Sequence, residues 1–106
     1  MSDIKRLTEA AIKFREERGW SKFHTSKELA IAISVEASEL LEAYLWKSEE
    51  EVRIEKIEEE LADVLIFCFM LADRHGLDIP EIVLSKIERN GEKYPLSTSQ
   101  GRINKP

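Results

Sequence analysis

Cysteine is almost absent from this sequence. Cys68 is the only one among 106 residues, so an internal disulfide is excluded. The longest apolar run, "LADVLIFCFMLA" (61–72), is shorter than the ~20 residues that cross a bilayer, and it carries Asp63. The N-terminal "MSDIKRLTEA" has a charged start but lacks the apolar region of a signal peptide. These absences predict a soluble, cytoplasmic protein in which Cys68 is a small buried residue.

Positive charge is also in deficit, because 16 basic residues stand against 21 acidic ones and the net charge is -5. Such a surface does not attract nucleic acid or anionic membranes, so we expect neither as a partner. Strand-like alternation of useful length is missing. So are phosphate-binding glycine loops, nucleophile elbows and zinc-ligand spacings.

Four glycines and three prolines leave room for long helices, and apolar residues recur at helical spacing in four segments. The helices are expected at about 3–18, from Thr25 or Ser26 to about Lys47, from Ser48 to 74 or 75, and from Asp78 to about 91–94. Short links favour an all-α, four-helix-bundle-like subunit. We predict a single domain over residues 1–95 and a polar C-terminal tail over 96–106, mobile in an isolated subunit.

The second helix carries carboxylates within its apolar face. On a helical wheel at ~100° per residue, Leu29 and Leu40 lie within about 40° of Glu36. Glu39 lies beside this stripe, whereas Glu42 points towards solvent. In an acidic chain, most E-x-x-E pairs lie on the solvated surface, so this motif alone is weak evidence for a metal site.

The third helix repeats the arrangement. Val64 and Phe67 lie within about 40° of Glu60, and Asp63 lies beside them. Two like charges ~4 Å apart repel by about 4 kcal/mol at an effective dielectric near 20, and burial adds to this cost. A divalent cation that prefers oxygen ligands, such as Mg²⁺, Ca²⁺ or Mn²⁺, would offset it. A di-iron site is disfavoured because the Glu-x-x-His pairs it needs are missing.

Other polar and aromatic residues admit two interpretations. Lys86, Asn90 and Lys93 form a row on the fourth helix that suits phosphate oxygens, or they are ordinary surface residues. The aromatic residues of "GWSKFH" (19–24) suit stacking on a nucleobase, or they close one end of the bundle. Trp46, expected on the Glu39 side of the second helix, would form a wall of the same pocket.

Longer segments resemble a known family. "EASE" (36–39) followed by "ELAD" (60–63) resembles the E-x-x-E…E-x-x-D signature of the MazG-like all-α nucleoside triphosphate pyrophosphohydrolases. The W-x-x-F-H of 20–24 and the K-x-x-x-N-x-x-K-Y-P of 86–95 resemble the dCTP pyrophosphatase-like branch. The resemblance covers residues 4–95.

This resemblance implies hydrolysis of a (d)NTP between the α- and β-phosphates, to a monophosphate and pyrophosphate, as house-cleaning of dNTPs. It implies Mg²⁺, or Mn²⁺, as cofactor and a homo-oligomer, either a dimer or a tetramer made from two dimers. The implied metal ligands and catalytic residues are Glu36, Glu39, Glu60 and Asp63. The implied substrate-binding residues are Trp20, His24, Lys27, Trp46, Lys86, Asn90, Lys93 and Tyr94.

The chain departs from the branch where the second helix starts. The branch reads closer to P-R-N, whereas this chain has "SKE" (26–28), so Lys27 replaces an arginine and the asparagine is lost. Base and sugar selectivity therefore stay open. A dUTP- or phosphoribosyl-ATP-type pyrophosphohydrolase and a non-catalytic oligomeric interaction protein are the alternatives.

Overall fold

The computed structural model describes residues 2–99, and within that range it contains helices and turns but no strand. Two single 3₁₀ turns, Ser21–Phe23 and Glu49–Glu51, lie between longer helices. The α-helices are α1 (Asp3–Glu17), α2 (Ser26–Glu42), α3 (Ile54–Arg74), α4 (Ile79–Lys93) and α5 (Leu96–Ser99). The all-α prediction is confirmed.

Capping residues mark several helix ends, and Thr25 and Asp78 lie where helices were predicted to start. The side chain of Thr25 accepts a hydrogen bond from the backbone N–H of Glu28 at the start of α2, and Asp78 caps α4 in the same way. Gly76, with φ +64°, follows the end of α3 in the left-handed region that glycine adopts without strain.

The second helix ends five residues earlier than predicted. It stops at Glu42 instead of Lys47, and the chain then turns through backbone bonds from Leu45 to Glu42 and from Lys47 to Tyr44. Trp46 adopts a φ of +63°, so the stretch that carries it is not helical. Ser48 takes an extended conformation and its N–H donates to Glu51 Oε1 at 2.6 Å, which starts a new turn.

The third helix begins later than predicted. Ser48 precedes only the 3₁₀ turn Glu49–Glu51, and α3 starts at Ile54 because Val52 and Arg53 are extended. The predicted tail begins with the single turn α5. Its expected mobility concerns residues that lie largely outside 2–99.

The helices α1, α2 and α3 belong to one compact unit that ends at Gly76. Its centre is formed by Ala11, the fully buried Leu29, and Met70. The helices α2 and α3 run antiparallel, since Ser26 Oγ at the start of α2 lies 2.7 Å from His75 Nε2 just after α3. Cys68 is half-buried rather than buried, and burial raises the pKa of its thiol.

The second unit begins at Leu77 and contains α4 and α5. Along α4, Lys86, Asn90 and Lys93 are spaced by four and three residues, so they share one side of the helix. Among residues 2–99, no helix is both long and apolar enough to cross a membrane.

Candidate metal centre and adjoining cavity

Three of the four predicted acidic residues converge between α2 and α3. One carboxylate oxygen each from Glu36, Glu60 and Asp63 lies within 4.8 Å of the other two. The antiparallel packing explains this meeting, because it brings the middle of α2 beside the N-terminal half of α3. Glu42, predicted to face solvent, is exposed.

Glu60 is the most deeply buried member, with 5% of its surface exposed. Its Oε1 accepts a hydrogen bond from Lys56 Nζ at 2.9 Å. Lys56 lies one helical turn earlier on α3, so the two side chains also form an ion pair. This contact is the main reason that the pKa of Glu60 is lowered and the pKa of Lys56 is raised. The buried Oε2 of Glu60 has no hydrogen-bond partner in the part of the chain that the structure describes.

Glu36 has the opposite electrostatic environment. Burial raises its pKa from 4.5 to about 7, and a hydrogen bond with Glu39 and the charges of Glu39, Asp63 and Glu60 act in the same direction. Its buried Oε2 also lacks a partner among residues 2–99. Glu39 is thus adjacent to the cluster through Glu36, although it lies outside the 4.8 Å group.

The cluster fits a hard divalent cation. Every ligand that it offers is a carboxylate oxygen, which Mg²⁺ and Mn²⁺ accept readily. Glu36 and Glu60 each keep one buried oxygen without a partner within residues 2–99, and such orphaned acceptors are costly unless something binds them. Within residues 2–99 the ion pairs include one lysine, Lys56, at these carboxylates, which leaves excess negative charge for a cation to neutralise.

A cavity of about 470 Å³ adjoins the cluster. Asp63 belongs to both, so the cavity opens directly beside the acidic residues. The wall is mostly apolar and is formed by α1, α3 and the link between α1 and α2. The residues that line it are Leu7, Ala10, Ala11, Phe14, Trp20, His24, Asp63, Ile66, Phe67, Phe69 and Met70.

Two of the predicted substrate-binding residues therefore lie in this wall, namely Trp20 and His24. The ring of Trp20 packs edge-on against Phe14 with centroids 5.7 Å apart, and His24 packs edge-on against Phe67 at 6.2 Å. Burial lowers the pKa of His24, helped by the charge of Arg15. The buried Nδ1 of His24 has no hydrogen-bond partner in the described range.

Among residues 2–99, the other predicted substrate-binding residues do not belong to the set that lines this cavity. Trp46 is 98% exposed on the turn after α2, and Lys27 is exposed in the first turn of α2. On α4 the predicted residues are Lys86, Asn90 and Lys93, with Tyr94 at the C-terminal cap. The Lys93 ammonium lies 5.5 Å from the Tyr94 ring centroid. The roles of all these residues stay predictions.

The structure adds residues that the sequence interpretation did not assign. Lys56 was missed, although a basic residue four positions before a buried glutamate is a recognisable ion-pair spacing. The sequence places Phe67 on an apolar helix face only and assigns no site role to Phe14; their place in the cavity wall depends on how α1 packs against α3. Helical spacing alone does not determine that packing.

Comparison with known proteins agrees with this arrangement. Residues 31–105 match the model of the MazG-like family, which is more than half of the chain. The chain belongs to the MazG-like family. The resemblance inferred from "EASE" and "ELAD" is therefore confirmed.

Named relatives extend the comparison. Mouse dCTP pyrophosphatase 1 is 37% identical over 109 aligned positions, which cover 95% of this chain and 62% of the mouse protein. The human protein of that name is 37% identical over 103 positions, covering 90% and 59%. This chain thus spans about three-fifths of the length of these curated relatives. The crystal structure of a pyrophosphatase from Archaeoglobus fulgidus superposes with a TM-score of 0.82 at 40% identity, covering 90% of this chain and 94% of that one.

The raised pKa of Glu36 predicts a pH-dependent stability in metal-free protein. A carboxyl whose folded-state pKa is raised contributes stability that is complete below pH 4.5 and is lost as the pH rises through about 7. The Glu36→Gln variant stays neutral, so its melting temperature should rise relative to wild type across that interval. Melting curves in a chelator at several pH values measure the difference.

The matched control is Glu42→Gln, an exposed glutamate on the same helix. Its melting temperature should differ from wild type by a constant, small amount at every pH. Parallel pH profiles for wild type and Glu36→Gln would contradict the assigned environment of Glu36.

Proposed function

We propose that this protein is a Mg²⁺-dependent nucleoside triphosphate pyrophosphohydrolase that cleaves dNTPs, with dCTP preferred, as a house-cleaning activity. The observation that carries the proposal is the carboxylate cluster of Glu36, Glu60 and Asp63, in which Glu60 is buried, beside a cavity of about 470 Å³. Membership of the MazG-like family supports it, as do relatives that are named pyrophosphatases.

The carboxylates of Glu36, Glu39, Glu60 and Asp63 would hold Mg²⁺ or Mn²⁺. The cation supplies positive charge against the triphosphate oxygens and makes a nearby water more acidic. The chain's own part is to orient that water and to accept its proton on a carboxylate of the cluster. The water oxygen bonds to the α-phosphorus, the bond to the bridging α–β oxygen breaks, and pyrophosphate leaves with that oxygen.

The cavity is proposed to hold the nucleoside. Its volume of about 470 Å³ lies within the usual range of small-molecule sites. The apolar wall with Trp20 and Phe67 suits the faces of a base, and the unpartnered Nδ1 of His24 suits a polar edge. Lys27, Trp46, Lys86, Asn90, Lys93 and Tyr94 remain proposed contacts to phosphate, sugar or base, on the strength of the family pattern.

A homo-oligomer, either a dimer or a tetramer of two dimers, is part of the proposal. Ile54, Leu61 and Leu65 repeat along one side of α3, and each is at least 45% exposed. Exposed apolar side chains that recur on one side of a helix favour burial against a partner.

Hydrolysis of a nucleotide panel tests the activity. With Mg²⁺, dCTP should yield dCMP and pyrophosphate faster than dUTP, dTTP or ribonucleotides. In H₂¹⁸O the label should enter the monophosphate, because water attacks the α-phosphorus. Label in pyrophosphate would contradict attack of water at the α-phosphorus. Absence of turnover on every nucleotide would favour a non-catalytic interaction protein.

The cluster should be essential for that turnover. Glu60→Gln is expected to lower kcat by about a hundredfold or more, in the range typical of lost acid–base or metal function. Glu58→Gln, an exposed position on the same helix, serves as the matched control and should behave as wild type. Equal rates for the two variants would remove the cluster from the reaction.

The cavity wall should affect substrate binding more than the chemical step. Trp20→Ala is expected to raise KM for dCTP severalfold with a smaller change in kcat, because a stacked base is worth about 1–3 kcal/mol. Phe23→Ala, on a neighbouring exposed aromatic outside the cavity wall, should leave KM unchanged. If both variants raise KM equally, the cavity is not the base site.

The exposed side of α3 should control assembly. Leu65→Glu is expected to lower the mass measured by size-exclusion chromatography with light scattering, because it places a charge in the apolar surface. Leu65→Met keeps an apolar side chain and should preserve the wild-type mass. A monomeric wild type, or no change in Leu65→Glu, would contradict this interface.

A further inference from the structure

Lys56 stands out among the charged residues around the carboxylates. Its ammonium lies 2.9 Å from Glu60 Oε1, and the Lys56 side chain is about half-exposed while that of Glu60 is 7% exposed. The pair therefore joins a buried anion to a cation that can leave towards solvent. Ordinary surface pairs lack this asymmetry and contribute little.

Among residues 2–99, two other carboxylate oxygens of the cluster lack a partner of this kind. The remaining oxygens, Oε2 of Glu36 and Oε2 of Glu60, are buried and have no partner in the range 2–99. Lys56 is thus the cation that the structure pairs with the cluster, and it satisfies only one of the buried carboxylate oxygens. It neutralises part of the charge that a divalent ion would otherwise neutralise.

We propose that Lys56 is a built-in counterion that holds Glu60 in place before metal binding and that the metal ion displaces. This inference rests on the metal site proposed above. Lys56 and the metal ion compete for the same carboxylate, and their positive charges repel each other. Lys56 therefore sets the metal affinity to a weaker value than the carboxylates alone would give.

Loss of Lys56 is expected to destabilise the metal-free protein and to strengthen metal binding. Without metal, loss of Lys56 leaves Glu60 as a buried anion without its counterion, which destabilises the fold. With metal, loss of Lys56 removes the competitor. Lys56 is a positioning residue in this account, since it acts on Glu60 and touches no reacting atom.

Binding of Mn²⁺, followed by the electron paramagnetic resonance signal of the free ion, tests the proposal in the full chain. Lys56→Met should bind Mn²⁺ about tenfold tighter than wild type, whereas Lys56→Arg, which keeps the charge, should stay close to wild type. Lys13→Met, at an exposed lysine of α1, is the matched control for a lost surface charge and should change the affinity by less than about twofold.

Thermal melting in a chelator gives a second readout that metal affinity alone would not move. In a chelator, Lys56→Met should melt at a lower temperature than Lys13→Met, and saturating Mg²⁺ should raise its melting temperature more than it raises that of wild type. If Lys56→Met binds Mn²⁺ no tighter than Lys13→Met, Lys56 is a surface residue and the inference fails. If wild type binds no Mn²⁺, the proposed metal site itself fails.

Labelling of wild-type protein keeps the test decisive if Lys56→Met does not fold. Acetylation of lysines, measured by mass spectrometry with Lys13 as internal reference, should increase at Lys56 when Mg²⁺ is added, because the amine is released from Glu60. Labelling of Lys56 that stays constant or decreases on addition of Mg²⁺ would overturn the proposed displacement.

Discussion

The rest of the site depends on one electrostatic constraint, the convergence of several carboxylates, of which Glu60 is buried, between two antiparallel helices. Glu36, Glu60 and Asp63 bring oxygens within 4.8 Å of one another, and Glu39 adds a fourth carboxyl through Glu36. Their mutual repulsion and their desolvation oppose folding. In the metal-free chain the protein reduces this cost in two ways: Glu36 has a raised pKa, and Glu60 is paired with Lys56.

The packing of the first three helices brings these carboxylates together beside a cavity. The pairing of Ser26 with His75 shows α2 and α3 running antiparallel, which places the middle of one beside the first half of the other. Packing of α1 against α3 then leaves a cavity that shares Asp63 with the cluster. A group of carboxylates that could hold a cation and a mostly apolar cavity thus meet at Asp63. That arrangement suits a substrate with a charged end and an aromatic end.

Much of the site was predictable from local periodicity. The helical wheel separated the inward Glu36 from the solvent-facing Glu42, and the structure agrees. The end of α2 was not predictable in this way, because apolar residues continue through Leu45 and Trp46 while the backbone already turns there and Trp46 adopts a φ of +63°. The cavity wall and Lys56 depend on tertiary packing and on side-chain conformation, which a wheel does not contain.

The most direct test of the central claim is the melting temperature of the wild-type protein as Mg²⁺ is titrated, in parallel with Glu36→Gln. A ligand that binds only the folded state must raise its stability as its concentration rises. The account predicts a higher melting temperature for metal-free Glu36→Gln than for metal-free wild type at neutral pH, and a larger increase with Mg²⁺ for wild type. Equal melting temperatures in the metal-free state and no response to Mg²⁺ in either protein would contradict it.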